Sequence, residues 1–189
     1  MKKALLLFGI TSAALIFLTA QRIGAITSAS ESSPFQVIFE TGKGGMLKES
    51  LPVTVRVERN PNKPQISLNS QAHMEVLLRV PSGVRLMSEG WKPVPLPEAE
   101  KKEERGVWSL FEKAAPVTAD KSVGHLPLAL SVVEEGVNWV ITARVRIIQG
   151  KETWQTFGVL FATARKGIVE FHGKPKMDFE QVDAQANRS

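Results

Sequence analysis

Residues 137–147 read Val-Asn-Trp-Val-Ile-Thr-Ala-Arg-Val-Arg-Ile, and this stretch decides the fold class. Every second residue is apolar, starting at Val137, whereas the positions between them include Thr142, Arg144 and Arg146. Successive side chains of a strand point to opposite faces, so this spacing gives one buried and one solvated surface. A helix would distribute the same residues around its circumference. The stretch is therefore predicted to be a β-strand with one face in a core.

The same period of two recurs on both sides of this stretch, between clusters of glycine, asparagine and proline that are typical of turns. Further strands are predicted at Phe35–Phe39, Leu51–Glu58, Met74–Val80, Val84–Met87, Val107–Phe111, Leu126–Val132, Trp154–Ala164 and Ile168–Phe171. Parallel sheets need long, usually helical, crossovers, and no segment between these strands carries a convincing amphipathic helix. The predicted fold class is all-β: a single antiparallel β-sandwich of about seven to nine strands, with a closed barrel as the alternative.

Burial can be predicted for some of these strands. Trp154–Ala164 is apolar on both faces, which predicts a central strand that is covered twice. Trp139 shares the apolar set of its strand, and Trp108 shares a face with Leu110, so both indole rings are predicted in the core. The chain has no cysteine, so no disulfide contributes and the fold must depend on its apolar core.

The N-terminal residues have the pattern of a secretory signal peptide. Two lysines precede an apolar run over residues 4–18, and small residues follow it. Residues 1–20 are predicted to be the signal peptide, cleaved after Ala20 or, as the alternative, after Ala25. A membrane-spanning helix needs about 20 apolar residues, so an uncleaved anchor is the weaker interpretation, and the lack of cysteine excludes a lipoprotein anchor. The protein is therefore expected to be exported, to the periplasm or the extracellular space.

The rest of the chain divides into three segments. Residues 21–34 are rich in serine, alanine and threonine and are expected to form a flexible lead-in. Residues 35–171 are expected to form the sandwich domain, and residues 172–189 a polar C-terminal tail.

A proline-rich and then charged insertion interrupts the strand pattern from residue 92 onward, and it is expected to be a solvated surface loop. Within it, Pro95 and Pro97 are weak candidates for docking into an aromatic groove of a partner. Trp91 and Trp154 lie near predicted loop ends, where an exposed ring can stack on a partner. The simpler interpretation is that both rings cover the ends of the sandwich.

The charge of the chain argues against nucleic acid as a partner. The formal net charge is +5; loss of residues 1–20 lowers the basic residues from 24 to 22 against 19 acids, which leaves +3. This value is ordinary for a soluble protein and too small to indicate nucleic-acid binding. Contact with a membrane is expected only through an uncleaved signal peptide.

Two stretches carry a resemblance to a known class of domain. Val80-Pro81-Ser82-Gly83-Val84-Arg85-Leu86 looks like the turn after an inner strand, and Gly136-Val137-Asn138-Trp139-Val140-Ile141-Thr142-Ala143 looks like a penultimate strand entered from a glycine turn. Over about residues 46–164 the chain resembles the bacterial immunoglobulin-like β-sandwich modules of exported proteins. The resemblance implies an immunoglobulin-like sandwich that acts as a binding, spacing or assembly unit.

No motif commits the chain to a reaction or a cofactor. It contains no cysteine nucleophile and no Gly-x-Ser-x-Gly elbow, so an enzyme is not expected. His73, His125, His172 and Met177 are weak candidates for metal ligands, because exported copper carriers use histidine and methionine. The strand period argues against a site at His73 because it places this residue and Met74 on opposite faces.

The expected function is non-enzymatic: an exported sandwich that binds or scaffolds another cell-envelope protein. The alternative is a periplasmic carrier of a metal or small ligand. Arg56, Arg144 and Arg146 lie at polar strand positions and could form a basic strip, although a solvated sheet face is the simpler interpretation.

Overall fold

The computed structural model of the chain describes residues 23–24, 33–96, 108–118 and 122–174, and it is built from strands. The strands are β1 (Ile23–Gly24), β2 (Phe35–Thr41), β3 (Gly45–Met46), β4 (Leu51–Arg59), β5 (His73–Pro81), β6 (Val84–Leu86), β7 (Lys92–Val94), β8 (Trp108–Pro116), β9 (Ser122–Val132), β10 (Gly136–Gln149), β11 (Glu152–Arg165) and β12 (Ile168–His172). Eight of them have five residues or more, and β1, β3, β6 and β7 have two or three. The strands predicted from the period of two are confirmed.

The strands form two antiparallel sheets. The five-stranded sheet has the order β1-β2-β4-β9-β6, and the seven-stranded sheet has the order β3-β12-β11-β10-β5-β8-β7. The predicted all-β, antiparallel architecture is therefore confirmed. The chain crosses between the sheets several times, for example from β4 to β5 and from β9 to β10, so each sheet mixes strands from distant parts of the sequence.

One apolar core lies between the two sheets. On β10 the predicted inward set Ile141, Ala143, Val145 and Ile147 is fully buried. The facing sheet contributes alternate residues in the same way, with Val37 on β2 and Val53, Val55 and Val57 on β4. Burying a side chain of this size stabilises the fold by about 1.5–3 kcal/mol.

The two sheets pack closely together where β11 faces β2. A Cβ atom built on Gly158 of β11 would lie 2.7 Å from Cγ1 of Val37, closer than two such carbon atoms can pack. Only a residue without a side chain allows this contact. Gly158 therefore sets the separation of the two sheets at this point.

Trp139 closes one end of the sandwich. The register between β10 and β11 shifts between Gly136 and Trp139, and Asn138 in this bulge has a positive φ of 58°. The indole ring lies against Gly83 and Gly136, where a Cβ atom would be 2.6 Å and 2.7 Å from the nearest ring atoms. Trp139 is partly buried and packs against the core, as predicted. The two stretches that resemble immunoglobulin-like modules thus meet at this ring.

Several sequence predictions fall wholly or partly outside the described residues. These are the signal peptide, most of the lead-in, the tail after residue 174, Pro97 and Met177. Ile23 and Gly24, which belong to the expected lead-in, form β1 and pair with Thr41 and Glu40. Within the described ranges, no helix has the length and apolar character to cross a membrane.

Candidate functional site

The outward side chains of the seven-stranded sheet form rows across its strands, because antiparallel pairing places partner residues side by side. We call this surface the seven-stranded outer face. Its central row runs from Phe157 on β11 through Arg144 on β10, Leu77 on β5 and Glu112 on β8 to Lys92 on β7. An aromatic ring, an aliphatic side chain and three charges are therefore adjacent in one line.

The rows on one side of this line are mainly apolar. The next row contains Val159, Thr142, Arg79, Leu110 and Val94, and the row beyond it contains Phe161, Val140, Pro81 and Trp108. The guanidinium of Arg79 lies 4.1 Å from the ring centre of Trp108, a cation–π contact. Trp108 is thus half-buried on the outward side of the sheet, beside the buried Leu110, rather than in the core between the sheets as predicted.

The row on the other side of the central line is polar and contains Gln155, Arg146, Glu75 and Ala114. Arg146 Nη2 lies 3.3 Å from Glu75 Oε2, and the two side chains are 49% and 46% exposed. An ion pair this exposed stabilises a protein by less than about 1 kcal/mol. A stronger ligand for either charge can therefore displace it.

A groove of about 550 Å³ lies over the central and polar rows. It is lined by four cationic residues and two acidic ones, together with aliphatic and backbone groups. The charged set is Lys92, Lys113, Arg144, Arg146, Glu75 and Glu112. The volume is within the range of small-ligand sites, about 300–1,000 Å³, and the lining favours an anionic group.

The prediction that Trp154–Ala164 is covered twice is only half right. On the inner face Leu160 and Ala162 are fully buried. On the outer face Phe157 is 40% exposed, and Val159 and Phe161 are half-buried. An antiparallel sheet face that meets only water is normally polar, so the exposed ring of Phe157 is the feature of this face that needs an explanation.

Arg56 does not belong to the same surface as Arg144 and Arg146, so the three residues do not form the basic strip that was the alternative to a solvated face. Arg56 lies on β4, in the other sheet. Its Nε lies 3.0 Å from Glu40 Oε1, an ion pair without hydrogen-bond alignment, and its Nη1 donates to Glu58 Oε1 at 2.5 Å. The sequence alone could not assign Arg56 to a different sheet from Arg144 and Arg146, because the sheet that a strand joins depends on the long-range order of the strands.

Glu40, Arg56 and Glu58 are the centre of what we call the five-stranded outer face. Their side chains are only 17%, 26% and 11% exposed. His125 Nε2 lies 3.5 Å from the second oxygen of Glu40, and Gln36 Nε2 donates to Glu58 Oε2 at 3.3 Å. The charges at the centre of this face are therefore paired with one another.

The candidate metal ligands do not meet in the described part of the chain. His73 lies exposed at the start of β5, whereas His125 lies in the other sheet. His172 is held by structural contacts: its Nε2 is 2.9 Å from Thr163 Oγ1, and its ring stacks on Phe161 with centres 5.9 Å apart. The described residues contain no group of three or more histidine, cysteine, aspartate or glutamate side chains that could hold a metal ion.

The two candidate tryptophans pack in or against the apolar core. Trp91 is 8% exposed and belongs to the core cluster, so its ring is not available for stacking on a partner. Trp154 packs edge-on against Phe35, with ring centres 5.9 Å apart. Pro95 is exposed just after β7. These contacts agree with the simpler interpretation that both rings are structural. The exposed ring is Phe157, and the apolar character of both β11 faces was the signal for it.

No known protein family, curated protein or solved structure matches the chain. Its function must therefore be argued from its own surfaces. Of the two outer faces, the seven-stranded one combines an exposed aromatic ring with a groove that more cationic than acidic residues line, and it is the candidate site.

Proposed function

We propose that this protein is an exported, non-enzymatic β-sandwich, of immunoglobulin-like type, that binds or scaffolds another protein of the cell envelope. The observation that carries the proposal is the seven-stranded outer face, where Phe157 is 40% exposed beside Arg144. Aromatic and arginine side chains are the residue types that contribute most to protein–protein interfaces. Neither Phe157 nor Arg144 is needed to close the core between the sheets.

A binding role is also supported by the difference between the two faces of β11. Its inner side chains hold the strand in the sandwich, since Leu160, Ala162 and Ala164 are fully buried. On the outer face Phe157 and the half-buried Val159 leave apolar area that a further layer would bury. A partner protein supplies that layer in the proposal.

Export is proposed on the basis of residues 1–20 alone, and the cleavage position matters for the fold. Cleavage after Ala20 would leave β1 on the mature protein, whereas cleavage after Ala25 would remove Ile23 and Gly24 from the edge of β2. N-terminal sequencing of the protein recovered from the periplasm or medium tests both points. An intact Met1 on that protein contradicts cleavage.

Site-directed photocrosslinking in the producing cells tests the binding role. A photoreactive phenylalanine analogue replaces Phe157 in one variant and Thr54, an outward residue on the five-stranded outer face, in the control. We expect one defined crosslinked protein from position 157 and none from position 54. The complex with that protein is then reconstituted from purified components. Equal crosslinking at both positions, or no crosslink at position 157, would contradict the proposal.

The groove supports a second candidate function, a carrier of a small ligand. Its volume of about 550 Å³ is sufficient for a small anion beside Arg144 and Arg146. Calorimetric titration with small organic anions, and with Cu(I) and Cu(II) for the metal alternative, tests this function. Stoichiometric binding would favour the carrier, and no heat with any of them would remove it.

A further inference from the structure

We infer that the partner contacts the seven-stranded outer face with an extended acidic segment, in which two carboxylates two residues apart bind Arg144 and Arg146. This inference rests on the proposed function and specifies the chemistry of the partner. Its evidence is the spacing, the charge and the apolar surroundings of the two arginines.

The spacing matches an extended peptide. Arg144 and Arg146 are alternate residues of β10 and project from the same face, so their Cα atoms lie about 6.6 Å apart. Alternate side chains of an extended segment have the same separation. A segment that runs along β10 can therefore place one carboxylate over each guanidinium, and each arginine can bind its carboxylate in the bidentate mode.

The charges on this part of the face are not balanced. Among the residues that the structure describes, Arg144 forms no ion pair, and Arg146 has only the half-exposed Glu75 at 3.3 Å. Across the central row, Glu112 lies beside Lys92 and is separated from Arg144 by Leu77. The attraction for carboxylates is therefore concentrated along β10, and the ligand is expected to follow that strand.

The apolar side chains next to the central row indicate which residue of the bound segment precedes its carboxylates. Two positions before Arg144 on the same face is Thr142, which lies beside Val159 of β11. A segment with the pattern apolar-x-acidic-x-acidic places its apolar side chain against Val159 and Phe157 while its acids reach the arginines. A purely acidic segment would leave these apolar side chains uncovered.

Fluorescence anisotropy with the mature protein tests the inference. The probe is a fluorescein-labelled Gly-Leu-Thr-Glu-Thr-Glu-Gly peptide, and the control peptides carry glutamine for both glutamates or place the two glutamates next to each other. We expect the probe to bind, and each control peptide to bind about tenfold or more weakly, because a charge-assisted hydrogen bond contributes about 1.5–3 kcal/mol. Binding should weaken as the salt concentration rises.

Charge reversal tests the location. Arg144→Glu should weaken probe binding by about tenfold or more, whereas Lys151→Glu, a reversal at an exposed turn position, should leave it unchanged. Circular dichroism confirms that both variants are folded. Equal affinity of the probe and the glutamine peptide, or no effect of Arg144→Glu, would overturn the inference.

If another kind of ligand occupies the seven-stranded outer face, the binding experiments give different results. Binding of polyphosphate or anionic lipid vesicles with no binding of the peptide would overturn the inference, and so would self-association of the protein that Arg144→Glu abolishes. A crosslink from position 157 to another protein, together with no peptide binding, would leave the proposed function intact and remove only the acidic segment. Loss of both the crosslink and peptide binding would reject the two together.

Discussion

The two outer faces of this sandwich have similar sequence patterns and different chemistry. On the five-stranded outer face Arg56 is enclosed by Glu40 and Glu58, and these three charges are partners of one another. On the seven-stranded outer face Arg144 lies between Phe157 and Leu77, two apolar side chains. An alternating strand pattern therefore identifies which residues point outward. It does not show whether their charged groups form ion pairs with one another or remain accessible to a binding partner.

The largest expected effect on stability is the difference between truncating an inner and an outer side chain of β11. Leu160→Ala should lower the free energy of unfolding by about 2–5 kcal/mol, because it leaves a cavity at a fully buried site. Phe157→Ala should lower it by about 1–2 kcal/mol, because this ring is 40% exposed and its loss leaves no enclosed cavity. Urea denaturation of both variants gives the two values.

Equal losses for these two variants would remove the contrast between the faces. In that case the outer side of β11 would be part of the folding core, and the argument for a docking surface at Phe157 would be wrong.

An intermediate effect is expected on the five-stranded outer face. Arg56→Met should lower the free energy of unfolding by about 1–3 kcal/mol, because it leaves the largely buried carboxylates of Glu40 and Glu58 without their cation. Thermal and urea unfolding of the purified variant measure this loss. An unchanged stability would mean that the network is no more than a solvated surface.

The smallest effect is expected for the matched change on the other face. Arg144→Met should alter the free energy of unfolding by no more than about 0.5 kcal/mol, because the arginine is exposed and forms no ion pair with a described residue. The same urea series provides the comparison. A loss as large as that of Arg56→Met would show that Arg144 is structural and would weaken its assignment to binding.

The strands themselves could be predicted because their signal is local. Each inward set, such as Val53, Val55 and Val57, is visible within a few residues of sequence, and all three are buried. Of the four short strands only β6 was predicted. The other three, β1, β3 and β7, were missed because two or three residues carry too little of the period. The pairing of β5 with β10, more than 60 residues away in the sequence, had no local signal either.

The candidate site was harder to predict than the fold. Arg144 and Arg146 were identified as outward residues, but Arg56 was grouped with them, because a pattern along one strand says nothing about which sheet the strand joins. Trp91 was a candidate for partner binding from its position near a loop, yet it is buried. Phe157 was visible as part of an apolar strand, and only the location of β11 in its sheet showed that its outer side was open.

The proline in β7 limits how this protein can assemble. β7 is the last strand of the seven-stranded sheet, and Pro93 at its centre has no N–H to offer a neighbouring strand. Edge-to-edge growth of the sheet is therefore disfavoured on this side. A partner that lies flat on the sheet meets no such obstacle, and it adds a third layer that ends where the face ends. In the proposed complex the partner would therefore use this face rather than the β7 edge.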